Sequence, residues 1–201
     1  MSLKKIVLSS FASYLDAFAT IIVNLIIAPI IIAAVGPAGF GVWQLFIKFK
    51  THLEALDGRS NEALKWVLID KQAQPDEEKR EALTSAVIVW ASFLPVFLCA
   101  AVAVFFIIRS MTHDVGISDY ELAGATIFIA LSAIFATLKS FSGSCLYGMN
   151  MAYKGMFVMA VSTLLGCGLI FLFARLDYGL TGIVAGYSVT FLVGAIVSFI
   201  I

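Results

Sequence analysis

The sequence predicts an all-α, polytopic membrane protein of about six transmembrane helices. Three observations carry that prediction. Hydrophobic residues make up 61% of the chain and charged residues only 13%, against roughly 45–50% and about 25% in soluble domains. Mean hydropathy is +1.01. Six apolar segments follow one another along the 201 residues, and at roughly 20 residues per crossing they leave no room for a sizeable soluble domain.

The segments fall in order. After Met1 to Lys5 the first apolar stretch runs on to Val35, too long for the roughly 7–15-residue core of a secretory signal, and it reads as span one, about 6–35. Gly36-Pro37-Ala38-Gly39 marks a tight turn, and span two covers about 40–68. A polar segment from Lys71 to Glu81 leads to span three, about 83–108. Spans four, five and six cover about 121–146, 153–174 and 180–201. Pro29 and Pro95 sit inside spans one and three, where each removes a helical hydrogen bond and favours a kink. Gly182-x-x-x-Gly186 and Gly166-x-Gly168 are expected where helix backbones touch, the close approach that gives packing energy within lipid. The chain is expected to form a single transmembrane lobe over 1–201.

Loop cations set the orientation. Lys4, Lys5, Lys71, Lys79, Arg80 and Lys154 fall on one side and only Arg109 and Arg175 on the other, so both termini are expected in the cytoplasm and the chain in the cell inner membrane. Lys plus Arg (13) balances Asp plus Glu (13), and no global field exists to attract nucleic acid. Cys99, Cys145 and Cys167 show neither CxxC nor Cys/His spacing and read as small packing residues.

The most informative stretch is Lys48 to Glu62, which loads a hydrophobic crossing with ionisable groups. A charge near the bilayer centre costs roughly 2.5–3.5 kcal/mol, so these groups must face one another, a water-filled cavity or the cytoplasm. On a continuous helix Lys48, His52 and Arg59 share one face, with Glu62 nearby. Asp57-Gly58 is a break signal, after which Ser60 or Asn61 starts a second helical piece through Leu68. In one reading Lys48, Lys50, His52 and Arg59 line a cavity that receives an anionic group such as a pyrophosphate. In the other, Lys50 pairs with Glu54 at i+4 and Arg59 with Glu62 at i+3, and the segment merely extends the helix into the cytoplasm.

Asp16 and Asn24 in span one, with Glu54 and Asp57, are the candidates for coupling to H+ or Na+, since a carboxylate about ten residues past Lys5 lies well inside the membrane. The alternative for Asp16 is a solvated acid near the interface. Lys139, near the end of span four, is expected to snorkel to the headgroups. Catalytic constellations are missing: no HExxH, no GxxxxGK[ST] and no GxSxG occur, and His52 and His113 are too few for a His-based metal site. The expectation is a protein that is not an enzyme and needs no cofactor.

Several short motifs resemble those of the oligosaccharide flippases of the multidrug/oligosaccharidyl-lipid/polysaccharide exporter superfamily. Ala28-Pro29-Ile30 followed by Val35-Gly36-Pro37-Ala38-Gly39-Phe40-Gly41-Val42-Trp43 is similar to the family's first hairpin. Leu53 to Leu64, with Asp57-Gly58 and Asn61, resembles its L-D-x-G…N-x-L segment, minus the residue between acid and glycine. Leu146-Tyr-Gly-Met-Asn and Leu176-Asp-Tyr-Gly-Leu-Thr-Gly resemble the turns that open its fifth and sixth helices.

The resemblance implies one lobe of a V-shaped transporter of two six-helix lobes. The partners it implies are membrane lipid, a polyprenyl-pyrophosphate-linked oligosaccharide as substrate, and a missing second lobe or a homodimer partner, the chain ending at Ile201 in apolar sequence. Lys48, Lys50 and Arg59 would hold the pyrophosphate. A cation-coupled drug antiporter of the same superfamily, with Asp16 as its acid, is the nearest alternative. A non-transporting membrane scaffold whose GxxxG faces bind partner helices is the alternative of another class.

Overall fold

The computed structural model describes the backbone at residues 3–55, 60–113 and 115–200, with side chains from Val7 onward except that of Phe199. Every extended element among these residues is helical: α1 (Leu3–Ala55), α2 (Ser60–Asp70), a 3-10 turn (Lys71–Ala73), α3 (Asp76–Ser92), α4 (Leu94–Met111), α5 (Asp119–Gly148), α6 (Ala152–Arg175) and α7 (Gly179–Ile200). Five helical runs are long and apolar enough to cross a membrane: Val7–Ala55, Asp76–Met111, Asp119–Gly148, Ala152–Arg175 and Gly179–Ser198.

The first run makes two passes. Thirty-four residues of straight helix would hold Asp16 and Lys50 about 51 Å apart, yet both lie within charge-interaction range of Lys139, so α1 folds back on itself. The fold occurs at Gly36, whose φ of 74° and ψ of 172° are the one departure from helical geometry inside α1. That region is open essentially to glycine alone. Where the sequence suggests a four-residue turn, one residue suffices, because Pro37 presets the φ of the next helical arm. Pro29 leaves the arm before it helical, as prolines within membrane helices often do. Pro95 does mark a break: α3 ends at Ser92, Phe93 intervenes, and Pro95 lies in the first turn of α4.

Hydrogen bonds fix which helices run together. At one end of the bundle Thr181 Oγ1 donates to the Glu121 carbonyl at 2.9 Å, and further along Ser188 Oγ donates to the Phe128 carbonyl, so α5 and α7 are parallel neighbours. Asn61 Nδ2 donates to the Thr137 carbonyl at 3.3 Å and Gln72 Nε2 to the Gly148 carbonyl at 2.5 Å. Thus α2 follows the last third of α5 and completes the second pass that the 37–55 arm begins. Asp57, Gly58 and Arg59 lie between those two pieces, outside the described residues.

The α5–α6 and α6–α7 hairpins close alike. Asn150 (φ 59°) and Asp177 (φ 54°) take the left-handed conformation, and the next amide reaches back five residues, Met151 to the Leu146 carbonyl at 2.8 Å and Tyr178 to that of Phe173 at 3.4 Å. This is the Schellman closure, at positions where Asn and Asp tolerate positive φ. The main core gathers Ile31, Trp43, Phe46, Ile108, Ile129 and Ile183 toward the Gly36 end. Gly186 meets the backbone of Leu169 and Ile170 on α6, so the GxxxG face is spent within the chain. Gly166 meets Thr190, whereas Gly168 meets nothing within 4 Å and is no packing glycine. Cys145 packs beside Leu64, Leu68 and Phe141, but Cys99 is exposed on α4 and packs against no core.

Candidate functional site: a charged cleft within the bundle

Toward the Gly148 end the packing changes from apolar to polar. A cleft of about 530 Å3 opens there, with Glu54, Asn61, Thr137, Lys139, Ser140 and Phe191 among its lining. A contiguous chamber of about 260 Å3 shares Glu62, Lys139, Ser140 and Met159 and adds Lys65, Ser144, Tyr147 and Ser198. Hydroxyls, amides and charges thus line an open cleft between helices whose outer faces are apolar.

Thr137 organises one wall. Its hydroxyl accepts from Trp90 Nε1 at 3.0 Å and donates to the Ile134 carbonyl at 2.8 Å, while its carbonyl accepts from Asn61. Asn61 is only 4% exposed, so these bonds remove what would be a costly buried amide. Ser132 and Ser142 satisfy their hydroxyls on carbonyls of their own helix.

Two lysines face this region in different states. Lys50, 5% exposed, pairs through Nζ with Glu54 Oε1 at 2.5 Å. Its ammonium also stands 4.1 Å from the Phe191 ring centre and 5.5 Å from that of Tyr187, in a column of edge-to-face rings from Trp43 through Tyr187 to Phe191. Such cation–π contact adds roughly 1 kcal/mol or more where water is excluded. Lys139, 8% exposed, makes no ion pair among the described residues. It lines both chambers, 5.6 Å from the Phe191 ring centre, and feels the charges of Asp16, Lys50 and Glu54 from beyond contact distance.

The snorkelling expected of Lys139 would carry its side chain out past the end of α5, whereas the residue is buried and lines the cleft. Gly148, the end of α5, lies nine residues on, about 13.5 Å along the helix and beyond a lysine's reach. Gly194 of α7 makes room instead: a Cβ there would fall 2.9 Å from Lys139 Cδ and 3.0 Å from Ser162 Oγ.

The other candidates divide. Glu54 lines the cleft, and Asp16 is half-buried within electrostatic reach of Lys139 and Tyr147. Lys48 and His52 are exposed on the opposite side of the helix from Lys50 and do not line the cleft, because positions two apart on a helix diverge by about 200°. Asn24 is exposed on α1 beside the exposed apolar residues Leu25 and Ile26. Asp57 and Arg59 fall outside the described residues. The sequence reading missed Phe191 and Tyr187, whose signal, aromatic residues four apart in an apolar span, is indistinguishable from core.

No protein-family model, no curated protein and no solved structure matches this chain. The site must therefore be read from its own chemistry. It offers a neutralised lysine–glutamate pair, the ammonium groups of Lys139 and Lys65 and the carboxylate of Glu62, which make no ion pair among the described residues, and a wall of hydroxyl and amide groups.

Proposed function

We propose that this chain is a transport lobe that moves a polyprenyl-pyrophosphate-linked oligosaccharide from the cytoplasmic to the outer leaflet of the inner membrane, for surface polysaccharide biosynthesis. The observation that carries the reading is Lys139, an ammonium inside an apolar bundle with no acid in ion-pair contact among the described residues and a polar cleft before it. Carrying a pyrophosphate through hydrocarbon costs tens of kcal/mol by Born reasoning, and a hydrated cleft with a free cation removes most of that barrier. The phosphates meet Lys139, the sugar meets Asn61, Ser140 and Ser144, and the prenyl chain stays in lipid. Lys50 acts as a reserve cation, held by Glu54 until an anion competes for it. A second lobe, from another polypeptide segment or another copy, closes the cleft and allows alternating access. Both termini face the cytoplasm in this arrangement, following the cation count of the loops.

Binding to the purified protein in micelles tests it. A polyprenyl-pyrophosphate sugar is expected to bind at least tenfold more tightly than the same glycolipid with an uncharged linkage, and Lys139→Met to abolish the difference. Equal affinity for the two lipids in the wild type would refute the reading. Asp16 and Glu54 beside the two lysines favour one rival, cation-coupled antiport of a cationic drug. That reading predicts proton-competitive binding of a cationic dye, lost in Asp16→Asn.

A further inference from the structure

Outside the cleft, and sharing no lining residue with it, an apolar groove of about 570 Å3 runs between the start of α1 and the start of α6. Leu8, Phe11 and Ala12 form one wall, and Tyr153, Lys154 and Phe157 the other. We propose that this groove binds one anionic phospholipid from the leaflet at the Gly148 end, with an acyl chain along Phe11 and Phe157 and the phosphate held by Lys154 at the mouth.

The distribution of charge selects this occupant. Lys154 lies in the first turn of α6 and makes no ion pair among the described residues. No side chain caps that helix N-terminus, so the positive end of its dipole adds to the lysine. Positions 4 and 5, both lysine, sit one turn before Leu8 on α1. Among the described residues Lys154 is the one charged residue in the groove's lining, and the sequence places no acid anywhere in α6, so the lining itself is basic without an acidic group. Deeper in, the walls are hydrocarbon and aromatic rings, with Phe11 67% and Phe157 55% exposed. A basic mouth over an apolar trough matches the two halves of a phospholipid, and near a membrane surface each such cation is worth about 1 kcal/mol toward anionic lipid. A protein partner would leave Lys154 without an answering acid unless it supplied one.

Native mass spectrometry of the intact chain, released from micelles with equal amounts of phosphatidylglycerol and phosphatidylcholine of identical acyl chains, tests the site. We expect one phosphatidylglycerol retained at least fivefold over phosphatidylcholine, the preference kept in Lys154→Arg and lost in Lys154→Gln. Circular dichroism of both variants should match the wild type, since Lys154 is part-exposed and unpaired. No preference in the wild type, or an undiminished one in Lys154→Gln, overturns the proposal. So does displacement of the lipid by millimolar inorganic phosphate, which would mean that the acyl trough contributes nothing. A second copy of the chain retained in place of lipid would also overturn it. Because no cleft residue is touched, loss of this preference leaves the transport reading standing, and failure of that reading leaves this one.

Discussion

Lys50 and Lys139 are the same residue type at similar burial, yet their surroundings give opposite expectations for stability. Lys50→Met strands the Glu54 carboxylate beside a packed aromatic column, and the loss should be about 1–3 kcal/mol, because Glu54 keeps 30% of its side chain exposed and part of its hydration. Lys139→Met removes a buried charge that no acid among the described residues meets at contact distance, Asp16 and Glu54 acting only from further away, so thermal stability in micelles should hold or rise. Equal losses in a melting series of the two variants would mean that Lys139 has a partner in the folded protein. The Lys50–Glu54 pair was legible in the sequence from its i+4 spacing. The fate of Lys139 was not, since it turns on Gly194 of a distant helix leaving room for its methylenes, a tertiary fact without local trace. Lys48 and His52 were misleading for a related reason: helical periodicity groups residues by face but does not say which face the bundle takes.

Helix contacts show how much of the bundle rests on absent side chains. A Cβ on Gly166 would collide with Thr190 Oγ1 and come within 2.8 Å of its Cγ2, and Thr190 is β-branched and slow to yield. Gly166→Ala should therefore cost about 1–3 kcal/mol, and Thr190→Ala in the same chain should restore most of it. Gly186 differs, since beyond Phe173 Cδ2 at 3.0 Å its Cβ would meet backbone at 3.1 and 3.2 Å, the carbonyl carbon of Leu169 and the amide nitrogen of Ile170. Gly186→Ala should destabilise with no side-chain rescue, because only separating α6 from α7 relieves it. Gly168→Ala, with open space beside it, should be neutral or stabilising, as expected for alanine over glycine within a helix. Unfolding of the four variants in mixed micelles separates these outcomes. The sequence marked Gly166, Gly168, Gly182 and Gly186 alike as small residues in apolar spans, and only the packed neighbours distinguish them.

At the scale of the molecule, six passes put the α2–α3 connection and the α5–α6 turn at one end, and the α4–α5 and α6–α7 turns at the other. The hydropathy pattern delivered this order almost complete, because backbone satisfaction within lipid leaves a long apolar segment no choice but helix. It could not show that a 3-10 turn anchors α2 to the end of α5 through Gln72; the break signal at Asp57-Gly58 lies outside the described residues. The arrangement predicts a labelling pattern. With Cys99, Cys145 and Cys167 replaced, single cysteines at Gln74 and Met149 should react together with a membrane-impermeant maleimide, and those at Tyr120 and Leu176 should form the opposite pair; all four positions are exposed. In intact cells the proposed orientation protects Gln74 and Met149 and exposes Tyr120 and Leu176. Reversal of the pairs would keep the bundle and invert its membrane topology, moving the mouth of the lipid groove and its Lys154 to the outer leaflet. Reaction of Gln74 with Tyr120 but not with Met149 would mean an odd number of passes between the α2–α3 turn and the α5–α6 turn, which no arrangement of α3 and α4 as one broken span and α5 as the next can give.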